Sequence, residues 1–570
     1  MGRYVLAKLH VTALLAMVTA WAPLNPSLAA GAARFEWFDY KGADPVDTAM
    51  RPGAGEYRNP IIAGFHPDPS ITRVGEDYYL VNSTFSWLPG LPIFHSRDLV
   101  NWRQIGNAIN RAGMVDFGSA DLSRGLFAPA ISHHGGLFYI ANTCFHCGGN
   151  FIVTAKDPAG PWSDPVWLPD LGGGIDPSLF IDDDGKAYIV NNDLPPDDKE
   201  DYPGHRAIWI QAIDLKTLKT FGPRTVLVSG GFDISTRPEY IEGPHLFKKD
   251  DFYYLTAAEG GTGIMHAQMI WRSKTPTGPF TGFAGNPILT QRDLARDRPR
   301  PIEAAGHADL VETQNGDWWI VFLGIRPYGD QGHFNTGRET FLLPVTWKDG
   351  WPQVLPPGQA IPWVHAKPNL PAQPAATIPT TGPMVIRDEF DGKELAPYWM
   401  TLRILSDDWY RLGDGALTLT PRPVGLSDRA NPSLWARRQQ HANASASTEL
   451  RFEPTVAGDR AGLAVIQNDE FWFRLTVERV DGKRVVCLAR RAGMAQPADG
   501  EVLASLPMPG DGPVRLRVTA REGLYDFEAA DAEGSWQPVL LGADGTILST
   551  WVAGGFVGTL IGMFAQSGGR

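Results

Sequence analysis

Asp77-Tyr78-Tyr79-Leu80 is the first of five short aromatic strand phrases; Leu137-Phe138-Tyr139-Ile140, Lys186-Ala187-Tyr188-Ile189, Phe252-Tyr253-Tyr254-Leu255 and Asp317-Trp318-Trp319-Ile320 follow it. The intervals between Tyr79, Tyr139, Tyr188, Tyr254 and Trp319 are 60, 49, 66 and 65 residues, which suits a four-stranded blade with variable loops. Five such units predict an all-β chain built on a five-bladed β-propeller. Twelve residues before the aromatic in the last four units stand Phe127, Asp176, Glu242 and His307, and eleven before it in the first stands Asp68. Each opens a similar phrase: Asp68-Pro69-Ser70, Phe127-Ala128-Pro129, Asp176-Pro177-Ser178, Glu242-Gly243-Pro244 and His307-Ala308-Asp309. If each phrase begins the innermost strand of its blade, the five side chains converge on one axis. Turn chemistry explains the Pro and Gly. It does not explain an acid or histidine at the start of four of the five phrases.

The propeller is expected over residues 58–365. Residues 366–383, rich in Pro, Ala and Thr, read as an extended linker. From Met384, runs such as Ala416-Leu417-Thr418-Leu419-Thr420 and Phe471-Trp472-Phe473-Arg474-Leu475, with turns at Asp481-Gly482 and Asp511-Gly512, predict a concanavalin-like β-sandwich over 384–570.

Residues 1–30 carry Arg3 and Lys8, an apolar run from Val11 to Trp21, and small residues at Ser27, Ala29 and Ala30. They read as a cleaved secretory signal, which makes the expected location secreted or periplasmic, with no membrane attachment afterwards. The balance of 51 Lys+Arg against 63 Asp+Glu, a net charge of -12, argues against nucleic acid as a partner. The 19 Trp, 15 Tyr and 27 Phe supply faces on which sugars can stack. The pair in Cys144-Phe145-His146-Cys147 lacks a βαβ context or a second ligand pair, so a local disulfide or two packed thiols is expected rather than a redox or zinc site. Asp182-Asp183-Asp184-Gly185 reads as a hairpin turn rather than a metal site.

Three acids at one axis suit cleavage of a glycosidic bond, in which one carboxylic acid protonates the leaving oxygen and a carboxylate acts from the opposite side. In an inverting enzyme the two stand about 6.5–9.5 Å apart to admit a water. Asp68, short and followed by rigid Pro69, is the expected base. Glu242, longer and followed by Gly243-Pro244, is the expected acid. Asp176 is the third carboxylate, whose charge would raise the acid's pKa.

Asn59-Pro60-Ile61, His66-Pro67-Asp68-Pro69-Ser70, the run Ile93-Phe94-His95-Ser96-Arg97-Asp98-Leu99-Val100-Asn101-Trp102, Glu242-Gly243-Pro244-His245 and Gly337-Arg338-Glu339-Thr340 together resemble the β-xylosidases and α-L-arabinofuranosidases of glycoside hydrolase family 43, including the family's appended sandwich. The resemblance implies inverting, metal-independent hydrolysis of xylose- or arabinose-containing glycans, with Asp68 as general base, Asp176 as pKa modulator and Glu242 as general acid. A β-xylosidase acting on chain ends is the leading expectation. An α-L-arabinofuranosidase or arabinan-degrading enzyme is the alternative, and a non-catalytic glycan-binding propeller the reading from another class. Matching positions imply that Arg338 holds substrate hydroxyls and that Phe85, Trp87 and Phe127 line the sugar subsites. Phe127 replaces a Trp that relatives often carry. Gly554-Gly555-Phe556 resembles a sandwich loop that closes the pocket, although Val557 stands where relatives often have Thr. His307 resembles a central histidine that contacts a hydrated Ca²⁺ in several relatives, so the resemblance admits a structural calcium there, with no cofactor required for the reaction. It also admits a homo-oligomer. Within residues 31–57, Phe35-Glu36-Trp37-Phe38-Asp39-Tyr40 resembles the last sandwich strand of many relatives, so residues 34–41 are expected to complete the C-terminal sheet and cover its edge.

Overall fold

The computed structural model describes residue 1 and residues 31–569; the expected secretory signal lies outside the described residues. Among them no helix is long and apolar enough to cross a membrane. Nearly all regular structure is β.

Five antiparallel sheets of four or five strands follow one another from Ser70 to Gln353. Each aromatic phrase forms or opens the second strand of its sheet: Asp77–Val81, Leu137–Phe145, Ala187–Asp193, Phe252–Glu259 and Trp318–Ile325. The aromatic and branched residues of these strands fill the space between neighbouring sheets. Tyr79 meets Phe138 edge-on at 5.0 Å, and Tyr57 packs on Trp319 at 6.2 Å. The first strands, Ser70–Val74, Ala130–His134, Ile175–Ile181, Glu242–Lys249 and Glu303–Glu312, touch their neighbours in a closed ring, the last contacting the first. The N-terminal approach is fastened to the fifth sheet. The Asn59 amide donates to the Leu342 carbonyl at 2.9 Å and accepts from the Leu342 N–H at 2.9 Å. Glu56–Arg58 pairs with Val364–Ala366.

The C-terminal region forms a sheet of eight strands and a sheet of six around an apolar core. Ala33–Gly42 lies inside the eight-stranded sheet, flanked on one side by Asn443–Arg451 and on the other by Met384–Asp388 and Ala416–Leu419. Its alternation, offset by a bulge between Phe35 and Trp37, turns Phe35, Phe38 and Tyr40 into the core. Because Phe38 is buried against Trp399 at 4.9 Å, Phe38→Ala is expected to lower unfolding free energy by about 3–5 kcal/mol, measured by urea denaturation.

The two regions share a seam. Trp87–Leu88 pairs with Thr401–Leu402, and Phe65, Phe85, Leu402 and Phe564 belong to one buried apolar cluster. Partly buried Arg326 donates to Asp44 at 2.6 Å and to Glu339 at 2.6 and 2.8 Å, joining the N-terminal segment to the fifth sheet. At Gly337, with φ of 75°, an added Cβ would fall 2.9 Å from the Cα of Gly558. Only glycine allows the propeller backbone to come this close to the sandwich.

Candidate active site

Asp68, Asp176 and Glu242 stand at the axial ends of the first, third and fourth sheets, where the backbone departs from regular pairing. Asp68, Asp176 and His307 have φ of 52°, 55° and 49°, and in the fourth sheet Gly243 takes the left-handed conformation at 58°. Ladder registers shift at Ile175/Ser178, at Glu242/His245 and on both sides of Gly306. Such bulges re-aim a side chain at the end of a strand. Each left-handed non-glycine residue costs about 1–3 kcal/mol, a strain that tends to collect at functional sites. Gly243 has a packing reason as well, since a Cβ there would meet the His307 ring at 2.8 Å.

The three acids receive different surroundings. Asp68 accepts from Arg338 Nη1 at 2.9 Å on one oxygen and from the Ser83 hydroxyl at 2.5 Å on the other. Burial works to raise its pKa, but the Arg338 guanidinium, His307 and Ser83 outweigh burial and hold it below the ordinary carboxylate value. Asp176 accepts from the Gly243 N–H at 3.0 Å. Burial, then the charge of Asp68, pushes its pKa up to about 7. Glu242 makes no side-chain hydrogen bond among the described residues; burial, followed by the charges of Asp176 and Asp68, pushes it up to about 8. At neutral pH the site therefore holds one anion locked to an arginine beside a carboxylic acid that keeps its proton. Asp176 and Glu242 titrate as a pair.

Arg338 is buried and also donates to the Thr262 hydroxyl at 2.9 Å. Its guanidinium carbon lies 5.5 Å from the Phe556 ring and 5.9 Å from that of Phe85. Phe85, Phe127 and Phe556 meet: Phe85 stacks on Phe556 at 5.7 Å, and Phe127 contacts Phe85 at 5.4 Å and Phe556 at 6.0 Å. Phe556 comes from the sandwich and is held by its N–H donating to the Ser123 hydroxyl at 2.8 Å. The structure thus gathers the three acids, Arg338 and these three aromatics.

Trp87 belongs to the same buried apolar cluster as Phe65, Phe85 and Phe127. It is fully buried on a strand paired with Thr401–Leu402, where it packs the propeller against the sandwich. His307 lies beneath Asp68, 4.0 Å from its carboxylate, and burial drives its pKa down to about 4, which leaves it neutral. Its neighbours include His245, His266 and Arg338, and no group of three or more His, Cys, Asp or Glu able to hold a metal occurs among the described residues.

Ser83 and Thr262, which hold Asp68 and Arg338, were not anticipated from sequence. Ser83 carries a signal: it falls four residues after Tyr79, as Thr143 falls four after Tyr139, and the Thr143 hydroxyl accepts from the Asp176 N–H at 3.2 Å. Thr262 sits in a Gly-rich loop with no local signature.

Cys144 and Cys147 form a disulfide across the turn that carries Phe145, and Phe145 stacks on Phe127 at 4.8 Å. Replacing both cysteines by Ser is expected to loosen this aromatic support and raise KM about two- to tenfold with a smaller effect on kcat, read from steady-state kinetics on an aryl glycoside.

The model of glycosyl hydrolases family 43 matches residues 57–352, and that of the β-xylosidase C-terminal concanavalin A-like domain matches residues 387–570. A xylosidase/arabinosidase from Butyrivibrio fibrisolvens is 40% identical over 517 residues, covering 90% of this chain and 96% of its own. A non-reducing end α-L-arabinofuranosidase from Bacteroides ovatus is 38% identical, covering 90% of this chain and 92% of its own. Among solved structures, a subfamily 12 member of the same family from a capybara gut metagenome superposes with a TM-score of 0.86 at 37% identity, over 95% of this chain and all of its own. The xylan β-1,4-xylosidase of Bacillus halodurans gives 0.81 at 34% identity, over 90% of this chain and 97% of its own.

Proposed function

The chain belongs to glycosyl hydrolases family 43, and from that premise we propose that it removes terminal xylose or arabinose from glycans by inversion, with Asp68 as general base, Glu242 as general acid and Asp176 as the group that tunes the acid. The observation that carries this reading is the division of protonation within one cluster: Asp68 held charged by Arg338, Glu242 held neutral up to about pH 8. A water beside Asp68 loses its proton to the carboxylate as its oxygen attacks the anomeric carbon. The bond to the leaving oxygen breaks, and Glu242 supplies that oxygen's proton. Arg338 keeps Asp68 ionised and offers its remaining N–H groups to sugar hydroxyls. Phe85, Phe127 and Phe556 wall the sugar, and because Phe556 arrives from the other domain the pocket is blocked on one side, which favours action at chain ends.

A β-linked xylose is the leading substrate. The Butyrivibrio relative's name joins both sugars, so the deciding experiment compares nitrophenyl β-D-xyloside with nitrophenyl α-L-arabinofuranoside. A kcat/KM higher for the xyloside supports a β-xylosidase; the reverse order assigns an α-L-arabinofuranosidase, and turnover of neither rejects the reading. Export is part of the proposal. The Cys144–Cys147 disulfide suits an oxidising compartment, and N-terminal sequencing of the protein from its native host should start near residue 31.

The charge on Asp176 follows burial as the second cause of the raised Glu242 pKa. Asp176→Asn removes a negative neighbour, so the acid loses its proton at lower pH. The alkaline limb of the kcat/KM profile is expected to move down by about one unit; an unmoved limb would detach Asp176 from the acid.

A further inference from the structure

A cavity of about 290 Å³ is lined by the loop that follows Phe252–Glu259 in the fourth sheet and by the short helix Thr550–Ala553 of the sandwich. The loop contributes Thr262, Gly263 and Ile264, the helix contributes Trp551, and Arg338, the arginine that holds Asp68, also reaches it. This volume is at the lower end for small-ligand clefts. Both walls are fixed. In the loop, the Gly260 and Gly261 N–H groups donate to the Glu239 carbonyl at 2.7 and 3.0 Å, and the Thr262 hydroxyl accepts from Arg338. At the helix, the Ser549 hydroxyl accepts from the Phe334 N–H at 2.9 Å and from the Trp551 N–H at 3.2 Å. The Thr550 hydroxyl donates to the Val557 carbonyl at 2.8 Å, and the Asn468 amide donates to the Ala553 carbonyl at 3.2 Å.

On this anchored turn Trp551 is 54% exposed. Among the described residues its ring makes no aromatic or cation contact and its indole N–H meets no acceptor. A lone exposed aromatic is ordinary on a protein surface. One presented by a fixed turn to a cavity that reaches a group of the catalytic cluster is a candidate for ligand contact. Arg296 lines the same cavity with its side chain 50% exposed. Its carboxylate partner, Glu303, is 3.7 Å away, beyond hydrogen-bond distance, and its N–H groups have no acceptor among the described residues. The cavity therefore offers a flat apolar face and free donors, the combination that recognises a sugar by its C–H surface and its hydroxyls.

Glu242 pairs with Ala258, near the end of the strand from which the loop leaves. The leaving oxygen must stand on the Glu242 side of the sugar, opposite the water beside Asp68. We propose that the cavity is the subsite for the sugar on the leaving-group side of the scissile bond, with Trp551 as its stacking platform and Arg296 donating to its hydroxyls. The proposal rests on the assignment of Glu242 as the acid, and it makes Trp551 a residue that selects for sugar leaving groups.

Steady-state kinetics on two substrates that differ only in the leaving group test this. β-Xylosyl fluoride loses a single atom and xylobiose loses a sugar; α-L-arabinofuranosyl fluoride and arabinobiose take their place should arabinose be the sugar removed. Trp551→Ala is expected to raise KM for the disaccharide about three- to tenfold, with Trp551→Phe restoring most of the loss and Arg296→Ala giving a smaller rise in the same direction. On the fluoride, kcat/KM should match the wild type in all three variants. Both side chains are half exposed or more, so the variants retain the fold. Equal loss on fluoride and disaccharide would make Trp551 a support for the neighbouring Phe556 and overturn the subsite. No change on either substrate would overturn it too, and in both cases the catalytic assignment stands because the wild type turns both over. Turnover of neither pair by the wild type would overturn the catalytic reading and this subsite with it.

Discussion

Glu242→Gln is expected to lower kcat on an aryl glycoside with a poor leaving group by about 10²–10⁴-fold, while activity on a dinitrophenyl glycoside, whose leaving group departs without a proton, falls far less. The contrast follows from the side chain's environment. Glu242 keeps its proton to about pH 8 because burial, then Asp176 and Asp68, oppose its ionisation, and Gln preserves the shape while removing that proton. The same substitution has a stability signature with a definite sign. A carboxyl whose folded pKa is raised binds more protons folded than unfolded, so it lowers stability as pH rises from its unfolded value of about 4.3 towards about 8. Gln removes that penalty. The variant should therefore melt above the wild type at pH 8–9 and approach it at pH 4. Equal loss on both leaving groups would remove Glu242 from the role of acid.

Asp68→Asn is expected to be as damaging to hydrolysis, by about 10²–10⁴-fold in kcat, and to carry the opposite stability change. Asp68 is buried and ion-paired with Arg338 at 2.9 Å. Substituting one partner leaves a buried guanidinium without its counter-charge, a loss of about 3–5 kcal/mol. Its folded pKa lies below the ordinary value, so its contribution is present above the unfolded pKa and is lost as pH falls through the folded one. The wild type should lose its advantage over the variant in strong acid. The change also lowers the pKa of Asp176 and Glu242, since Asp68's charge raises both. Residual activity should therefore decline at lower pH than in the wild type.

These predictions rest on an axial cluster whose membership is readable from sequence for a physical reason. In a repeated fold, equal offset from a repeated aromatic means equal position in the sheet, so Asp68, Asp176, Glu242 and His307 share a neighbourhood although they are spread over 240 residues. The left-handed backbone that aims them is less apparent, because Asp and His tolerate it without leaving a compositional mark; only Gly243 announces it. Trp87 shows where local reading stops. It stands two residues from Phe85, yet its strand pairs with Thr401–Leu402, more than 300 residues away, and that partner turns it into the seam. Thr262 is hidden for the same reason. Nothing in Gly260-Gly261-Thr262-Gly263 indicates that its hydroxyl meets Arg338. Elements set by alternation and repeat spacing are visible in one dimension; contacts between domains are not.

The central claim, that Asp68 and Glu242 act as a base and acid pair on opposite sides of the glycosidic bond, is tested most directly by the anomer released first. Time-resolved proton NMR should be recorded on whichever aryl glycoside the enzyme cleaves, before mutarotation mixes the products. The account predicts the inverted sugar, α-xylose from a β-xyloside, as the initial product. Initial release of the retained anomer would contradict it, because retention requires a carboxylate to bond to the sugar rather than activate water.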